Sequence, residues 1–216
     1  MNKYVVECIG TFFLVLTIGM TVIQPGLPEG FAPLAIGSAL AVMICAGGHV
    51  SGGHFNPAVT LAVWIRGKCD TKDVFGYMAA QVGGATLAAF SVSFLKGNPT
   101  VTGKVVEVGP ALFAEFLFTF ALAWVVLHVA TAKGTSGNSF YGLAIGFTVL
   151  TGAYAVGGVS GGAFNPAVAI GATILGMFQK ANIWIYLAAD FLGGAAAAIA
   201  FRAVVKEETP PAPPKA

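Results

Sequence analysis

The chain has 216 residues, 56% of them hydrophobic and only 9% charged, with a formal net charge of +2 and a mean hydropathy of +0.82. Soluble domains carry about a quarter charged residues, so this composition cannot cover the surface of one or two soluble domains. The small net charge argues against nucleic-acid binding.

The first apolar segment, Tyr4–Ile23, carries one acid, Glu7. No small-residue cleavage site follows it, so it reads as a retained membrane helix rather than a signal peptide. The loop Gln24–Gly30 leads to a second segment, Phe31–Cys45, then to a glycine-rich string and a short segment beginning at Asn56. Long segments follow at Asp73–Leu95 and, past the loop Lys96–Pro110, at Ala111–Thr131. The loop Ala132–Ser139 precedes Phe140–Val156, a second short segment begins at Asn165, and the last long segment is Ile183–Val204. A helix needs roughly 20 residues to cross a bilayer, so the six long segments predict spans, with the second and fifth near the lower limit. The short segments run about 10–12 residues, half a membrane thickness. The tail Glu207–Ala216, with Pro210, Pro211, Pro213 and Pro214, predicts a disordered extension. Cys8, Cys45 and Cys69 have no metal or redox spacing, and Cys8 and Cys45 read as small residues of apolar runs.

The chain repeats itself. Gly48-His49-Val50-Ser51-Gly52-Gly53-His54-Phe55-Asn56-Pro57-Ala58-Val59 recurs as Gly157-Gly158-Val159-Ser160-Gly161-Gly162-Ala163-Phe164-Asn165-Pro166-Ala167-Val168, an offset of 109, and ten of the twelve positions are identical. Such a repeat in so apolar a chain predicts two related halves, 1–96 and 110–206, within a single domain 1–206. With the N-terminus inside, Lys3, Arg66, Lys68, Lys72, Lys133, Arg202, Lys206 and Lys215 lie inside and only Lys96, Lys104 and Lys180 outside, which satisfies the positive-inside bias. Three spans per half then invert the second repeat, and the two short helices enter from opposite faces and meet near the midplane. Asn56 and Asn165 suit the N-cap, where the side-chain oxygen accepts a first-turn N–H. Pro57 and Pro166 fall at N1, where a missing N–H costs nothing. Each Asn NH2 is then free to donate into a lumen, and each helix N-terminus places about +0.5 charge there, opposing a cation.

These paired strings resemble the aquaporin, or major intrinsic protein, family over nearly the whole chain. Glu7-x-x-x-Thr11-Phe12 and Glu115-x-x-x-Thr119-Phe120 also resemble its half-repeat signatures. The resemblance implies an all-α membrane protein: six transmembrane helices plus two re-entrant half-helices as an inverted repeat. It further implies a homotetramer with one pore per subunit, passive flux of water or small uncharged solutes, and no cofactor. We expect a multi-pass protein of the plasma (inner) membrane with both termini cytoplasmic and lipid as its surroundings. The family's acids imply that Glu7 and Glu115 brace the re-entrant loops by accepting their backbone N–H groups. One departure stands out: most members carry Arg after the second Asn-Pro-Ala, and this chain has Val168, followed by Ala169 where glycerol-type members carry Asp. Family spacing adds Gly162, Ile36 and Ala153 to the outer constriction. Ile36, Ala153, Gly162 and Val168 would make a wider and less polar selectivity filter than that of a strict water channel.

His49 and His54 flank the first loop without counterparts at Gly158 and Ala163, and read as lumen or loop-bracing residues rather than metal ligands, since a metal site needs more than two. His128 reads as a packing or loop-anchoring residue. Asp190, opposite Gln81 by the repeat offset, reads either as held by a buried partner or as a tuning group. Gly83, Gly84, Gly193 and Gly194 predict close helix crossings. The function expected is a passive channel for water plus glycerol, urea, ammonia or similar solutes, with a strict water channel as the alternative. A secondary transporter would need a coupling-ion site, hinted at by Asp190 alone, and a structural membrane protein would need no open lumen. No nucleophile–base pair or metal constellation suggests an enzyme.

Overall fold

The computed structural model describes residues 1–24, 26, 28 and 30–205, so the expected tail Glu207–Ala216 lies outside the described residues. Eight α-helices follow in chain order: α1 Asn2–Val22, α2 Ala32–Ser51, α3 Pro57–Ile65, α4 Thr71–Leu95, α5 Val108–Val126, α6 Tyr141–Ser160, α7 Pro166–Ile174 and α8 Ile183–Val204. In hydrocarbon a helix is the one open-ended structure that satisfies every backbone N–H and C=O within its own segment. Six of the helices are long and apolar enough to cross a membrane. The other two, α3 and α7, have nine residues each, about 13 Å of rise.

α2 and α6 are longer than expected, running to Ser51 and Ser160 instead of Cys45 and Val156. Their glycines Gly47, Gly48, Gly157 and Gly158 remain helical, because unwinding them at this depth would strand polar backbone groups away from water. α5 ends in a wide π-helical turn, Leu127–Thr131. There His128 Nδ1 lies 2.9 Å from the Trp124 carbonyl oxygen, and its ring packs edge-on against Phe201 of α8.

Within each half the first helix packs along the third, α1 on α4 and α5 on α8, while α2 packs on α6 between the halves. The α2–α6 crossing is set by repeat-equivalent glycines: a Cβ at Gly37 would lie 2.7 Å from the Gly146 oxygen, and one at Gly146 would lie 2.3 Å from the Gly37 oxygen. Neither glycine was singled out from the sequence. Of the four that were, Gly84, Gly193 and Gly194 are true crossings, with backbone oxygens 2.2, 2.6 and 2.6 Å from an added Cβ. Gly83 is not: a Cβ there meets nothing within 4 Å.

The outside and inside of this bundle are reversed relative to a soluble protein. Phe75 and Phe94 are each 82% exposed, whereas Glu7, Gln81, Glu115 and Asp190 are fully buried. Lipid can solvate the former; the latter must be satisfied by the protein. Six spans leave the described ends of the chain on one face, where Lys3 bridges to Asp73 and Tyr4 donates to the same carboxylate. On the far face, the Lys104 N–H donates to the Met177 oxygen at 2.8 Å, pinning the long loop between the halves onto the segment after α7.

Candidate permeation site

Two re-entrant loops reach the middle of the bundle. α2 and α6 each end in a pair of left-handed glycines, Gly52–Gly53 and Gly161–Gly162, with φ of 92° and 64°, and 102° and 69°. A side chain would be strained at each of these. Ser51 and Ser160 lie just before them, and each hydroxyl accepts from the second glycine's N–H at 3.1 Å.

The two acids lie behind these loops. Glu7 Oε1 accepts from Ser51 Oγ at 2.7 Å and the His54 N–H at 2.9 Å; its Oε2 accepts from the Phe55 N–H at 2.6 Å and Gln81 Nε2 at 2.8 Å. Glu115 accepts from the Ala163 and Phe164 N–H groups at 3.0 and 2.7 Å. Two tyrosines, missed in the sequence reading, fix the remaining backbone: Tyr77 and Tyr186 each donate to the Ser51 or Ser160 oxygen at 2.6 Å. Their spacing matches the repeat offset, the signal that would have found them. Gln81, noted in the sequence only as the counterpart of Asp190, also donates to Thr60 Oγ1 at 2.9 Å.

Held in this way, Phe55 and Phe164 adopt left-handed φ angles of 47° and 49°. Such backbone strain in a non-glycine residue costs about 1–3 kcal/mol and persists only where surroundings over-determine it. Here it turns each phenylalanine carbonyl toward the opposite loop. Asn56 Nδ2 donates to the Phe164 oxygen at 2.8 Å, and Asn165 Nδ2 donates to the Phe55 oxygen at 2.9 Å. The other end of each amide caps its helix: Asn56 Oδ1 accepts from the Ala58 and Val59 N–H groups, and Asn165 Oδ1 from those of Ala167 and Val168. The amides are therefore less free than expected. One hydrogen of each NH2 ties the halves together, and one remains for the lumen. Pro57 and Pro166 open the two half-helices at N1.

A cavity of about 140 Å³ runs past this junction and is bordered by both asparagines. Ile36, Ala153, Gly162 and Val168 all border it, as do Phe178 and Met177 at its far end. Apart from the two asparagines, the one polar side chain among its lining residues is His54. The His54 ring lies 3.1 Å from Thr60 Oγ1 through Nδ1 and packs on Tyr77 at 5.0 Å between centroids. It also borders the wider vestibule on the terminal face, shared with Lys68, Cys69 and Asp73. His49 does not join it. That side chain is exposed near the end of α2 and borders a separate cleft with Gly52, Lys68 and Val129. Asp190 is buried behind the second loop and does not border the cavity, so it offers no coupling-ion site there. No group of three or more metal-ligating side chains occurs among the described residues.

Comparison with known proteins agrees with this geometry. The family model described as Major intrinsic protein matches residues 1–201. The glycerol uptake facilitator protein-like 6 of Lactiplantibacillus plantarum is 36% identical over 96% of this chain and 100% of its own length. Nodulin-26 of Glycine max is 36% identical over 97% of this chain and 80% of its own. Aquaporin NIP1-3 of Oryza sativa subsp. japonica is 36% identical over 94% and 73%. The crystal structure of the aquaglyceroporin from Plasmodium falciparum superposes with a TM-score of 0.81 over 94% of this chain and 96% of that one, at 24% identity. With its inverted repeat, its crossed asparagines and this match along its length, the chain belongs to the major intrinsic protein family of membrane channels.

Proposed function

We propose that this protein is a passive channel for water and small uncharged solutes of the glycerol, urea and ammonia type, with an outer filter that contains no arginine. The observation that carries this reading is Val168. It borders the cavity in the first turn of α7 beside Gly162 and Ala153, and it brings neither charge nor hydrogen-bond donor. A polar solute loses one partner there and meets less steric obstruction. The second hydrogen of each asparagine amide, together with the positive ends of α3 and α7, remains to orient a permeant and oppose a cation. The channel is a homotetramer of the inner membrane with both termini cytoplasmic, in keeping with the Lys and Arg bias between its faces.

The test is a vesicle swelling panel of water, glycerol, urea and methylamine on wild type and Val168→Arg, with a pH-dye leak assay on the same vesicles. A guanidinium in a low-dielectric lumen exerts Coulomb terms several-fold above those in bulk water. Val168→Arg therefore lowers urea and glycerol flux more than water flux and reduces any proton leak. An unchanged solute-to-water ratio removes Val168 from the filter and ends the wide-filter reading.

A further inference from the structure

The two halves solve the same buried problem with different chemistry. In the first half, Glu7 sits beside an amide, and Gln81 Nε2 donates to it at 2.8 Å. Position 190 is the repeat equivalent of Gln81, and it carries a second acid. Asp190 is fully buried and lies in hydrogen-bonding contact with Glu115. Its Oδ1 accepts from Thr119 Oγ1 at 2.9 Å, while its Oδ2 is buried with no donor. Two ionised carboxylates cannot share such a contact, because each has acceptors only. One proton must lie between them. Glu115 already accepts two loop N–H groups, one on each oxygen, with the Ser160 hydroxyl also beside it, so both its oxygens are engaged as acceptors. Asp190 has the Thr119 hydroxyl and the Asn165 N–H beside it but keeps one orphaned oxygen, Oδ2, so the proton belongs there.

We propose that Asp190 is a positioning residue that holds a proton at neutral pH and donates it to Glu115, replacing in the second half the amide that Gln81 supplies in the first. Asp190 touches no permeant. It acts through Glu115, which fixes Ala163 and Phe164 and thereby the left-handed turn that aims the Phe164 carbonyl at Asn56. The groups facing it are few. α5 presents Glu115 as its one titratable side chain, α3 and α7 present none, and Tyr186 stands one turn away on α8, donating to the Ser160 oxygen. As pH rises and the shared proton leaves, two neighbouring carboxylates repel, Glu115 loosens from the loop, and conduction falls.

The claim rests on the channel reading for its transport arm only. Infrared spectra of the full-length protein in lipid, with and without carboxyl-13C aspartate, read the proton directly. The chain has three aspartates, Asp70, Asp73 and Asp190, and Asp73 is paired with Lys3 and Tyr4. A label-sensitive protonated-carboxyl band at neutral pH that vanishes in Asp190→Asn is the expected result. Absence of that band in wild type overturns the proposal, whether or not any variant folds. In vesicles, wild-type solute flux falls roughly tenfold or more at alkaline pH, as expected for loss of a charge-assisted hydrogen bond. Asp190→Asn, which keeps a donor, conducts at neutral pH and loses the alkaline fall, while Asp190→Leu is impaired at every pH. An alkaline fall in Asp190→Asn equal to that of wild type overturns the positioning role. A protein that shows the band but no flux in any vesicle refutes the channel and leaves the shared proton established.

Discussion

Replacing Asn56 by alanine separates the two jobs of one side chain. The substitution removes the cap of α3, worth about 1 kcal/mol. It also strands the Phe164 carbonyl, which Asn56 Nδ2 meets at 2.8 Å in a site where Asn56 is only 2% exposed. An orphaned buried acceptor costs about 1–3 kcal/mol, so the expected loss is about 2–4 kcal/mol. Asn56→Asp keeps an oxygen for the Ala58 and Val59 N–H groups but faces the Phe164 carbonyl with another acceptor, so it retains the cap and forfeits the tie. Its added negative charge raises cation leak. The mirror variants Asn165→Ala and Asn165→Asp act on the Phe55 carbonyl in the same way. Denaturant unfolding in mixed micelles, read at a common slope, gives the stabilities, and vesicle flux gives the conduction. If the Ala and Asp variants both stay within about 0.5 kcal/mol of wild type, the range of uninvolved surface changes, and conduct as it does, the crossed bonds do not hold the pore centre.

The lumen map makes a thiol prediction. Cys8, Cys45 and Cys69 do not border the cavity, so wild-type water flux resists mercurials, and Val168→Cys confers rapid, thiol-reversible block; insensitivity of that variant places Val168 off the lumen. Gly162 is the wrong site for such a probe, because its φ of 69° strains any side chain, and Gly162→Cys lowers yield before it reports access. Neighbouring glycines of α4 form a matched pair. Gly84→Ala drives a Cβ to within 2.2 Å of the Cys8 oxygen and destabilises by about 1–3 kcal/mol, whereas Gly83→Ala points into open space and is neutral or gains up to about 1 kcal/mol of helix propensity; equal melting points for the two would dismiss the crossing.

Much of this was legible in the sequence because each signal is local or repeats. Asn-Pro at a helix start, glycine pairs before it and a 20-residue apolar span all speak through short windows. Helix ends were harder: Gly47, Gly48, Gly157 and Gly158 look like breakers until lipid rules out unwinding. The network behind the loops was nearly invisible, since Gln81 and Tyr77 reach back to Glu7 and Ser51 from another helix, at separations of 74 and 26 residues. His49 misled for the opposite reason. It stands near the loop in sequence, but it borders a neighbouring cleft with Gly52 and Lys68 rather than the lumen.

The crossed asparagine bonds have the signature of an isologous dimer, in which residue i of one copy meets residue j of the other and j meets i. Gly37 and Gly146 meet the same way on the axis between the halves. A true homodimer with this contact would be bound by its symmetry: any change at one mouth of the pore would appear at the other. Joining the copies in one chain lifts that constraint while keeping the axis. At the repeat offset His54 and Thr60 of one half correspond to Ala163 and Ala169 of the other, and Gln81 corresponds to Asp190. A single chain thus lets the two ends differ in their side chains around a centre whose crossed bonds are symmetric.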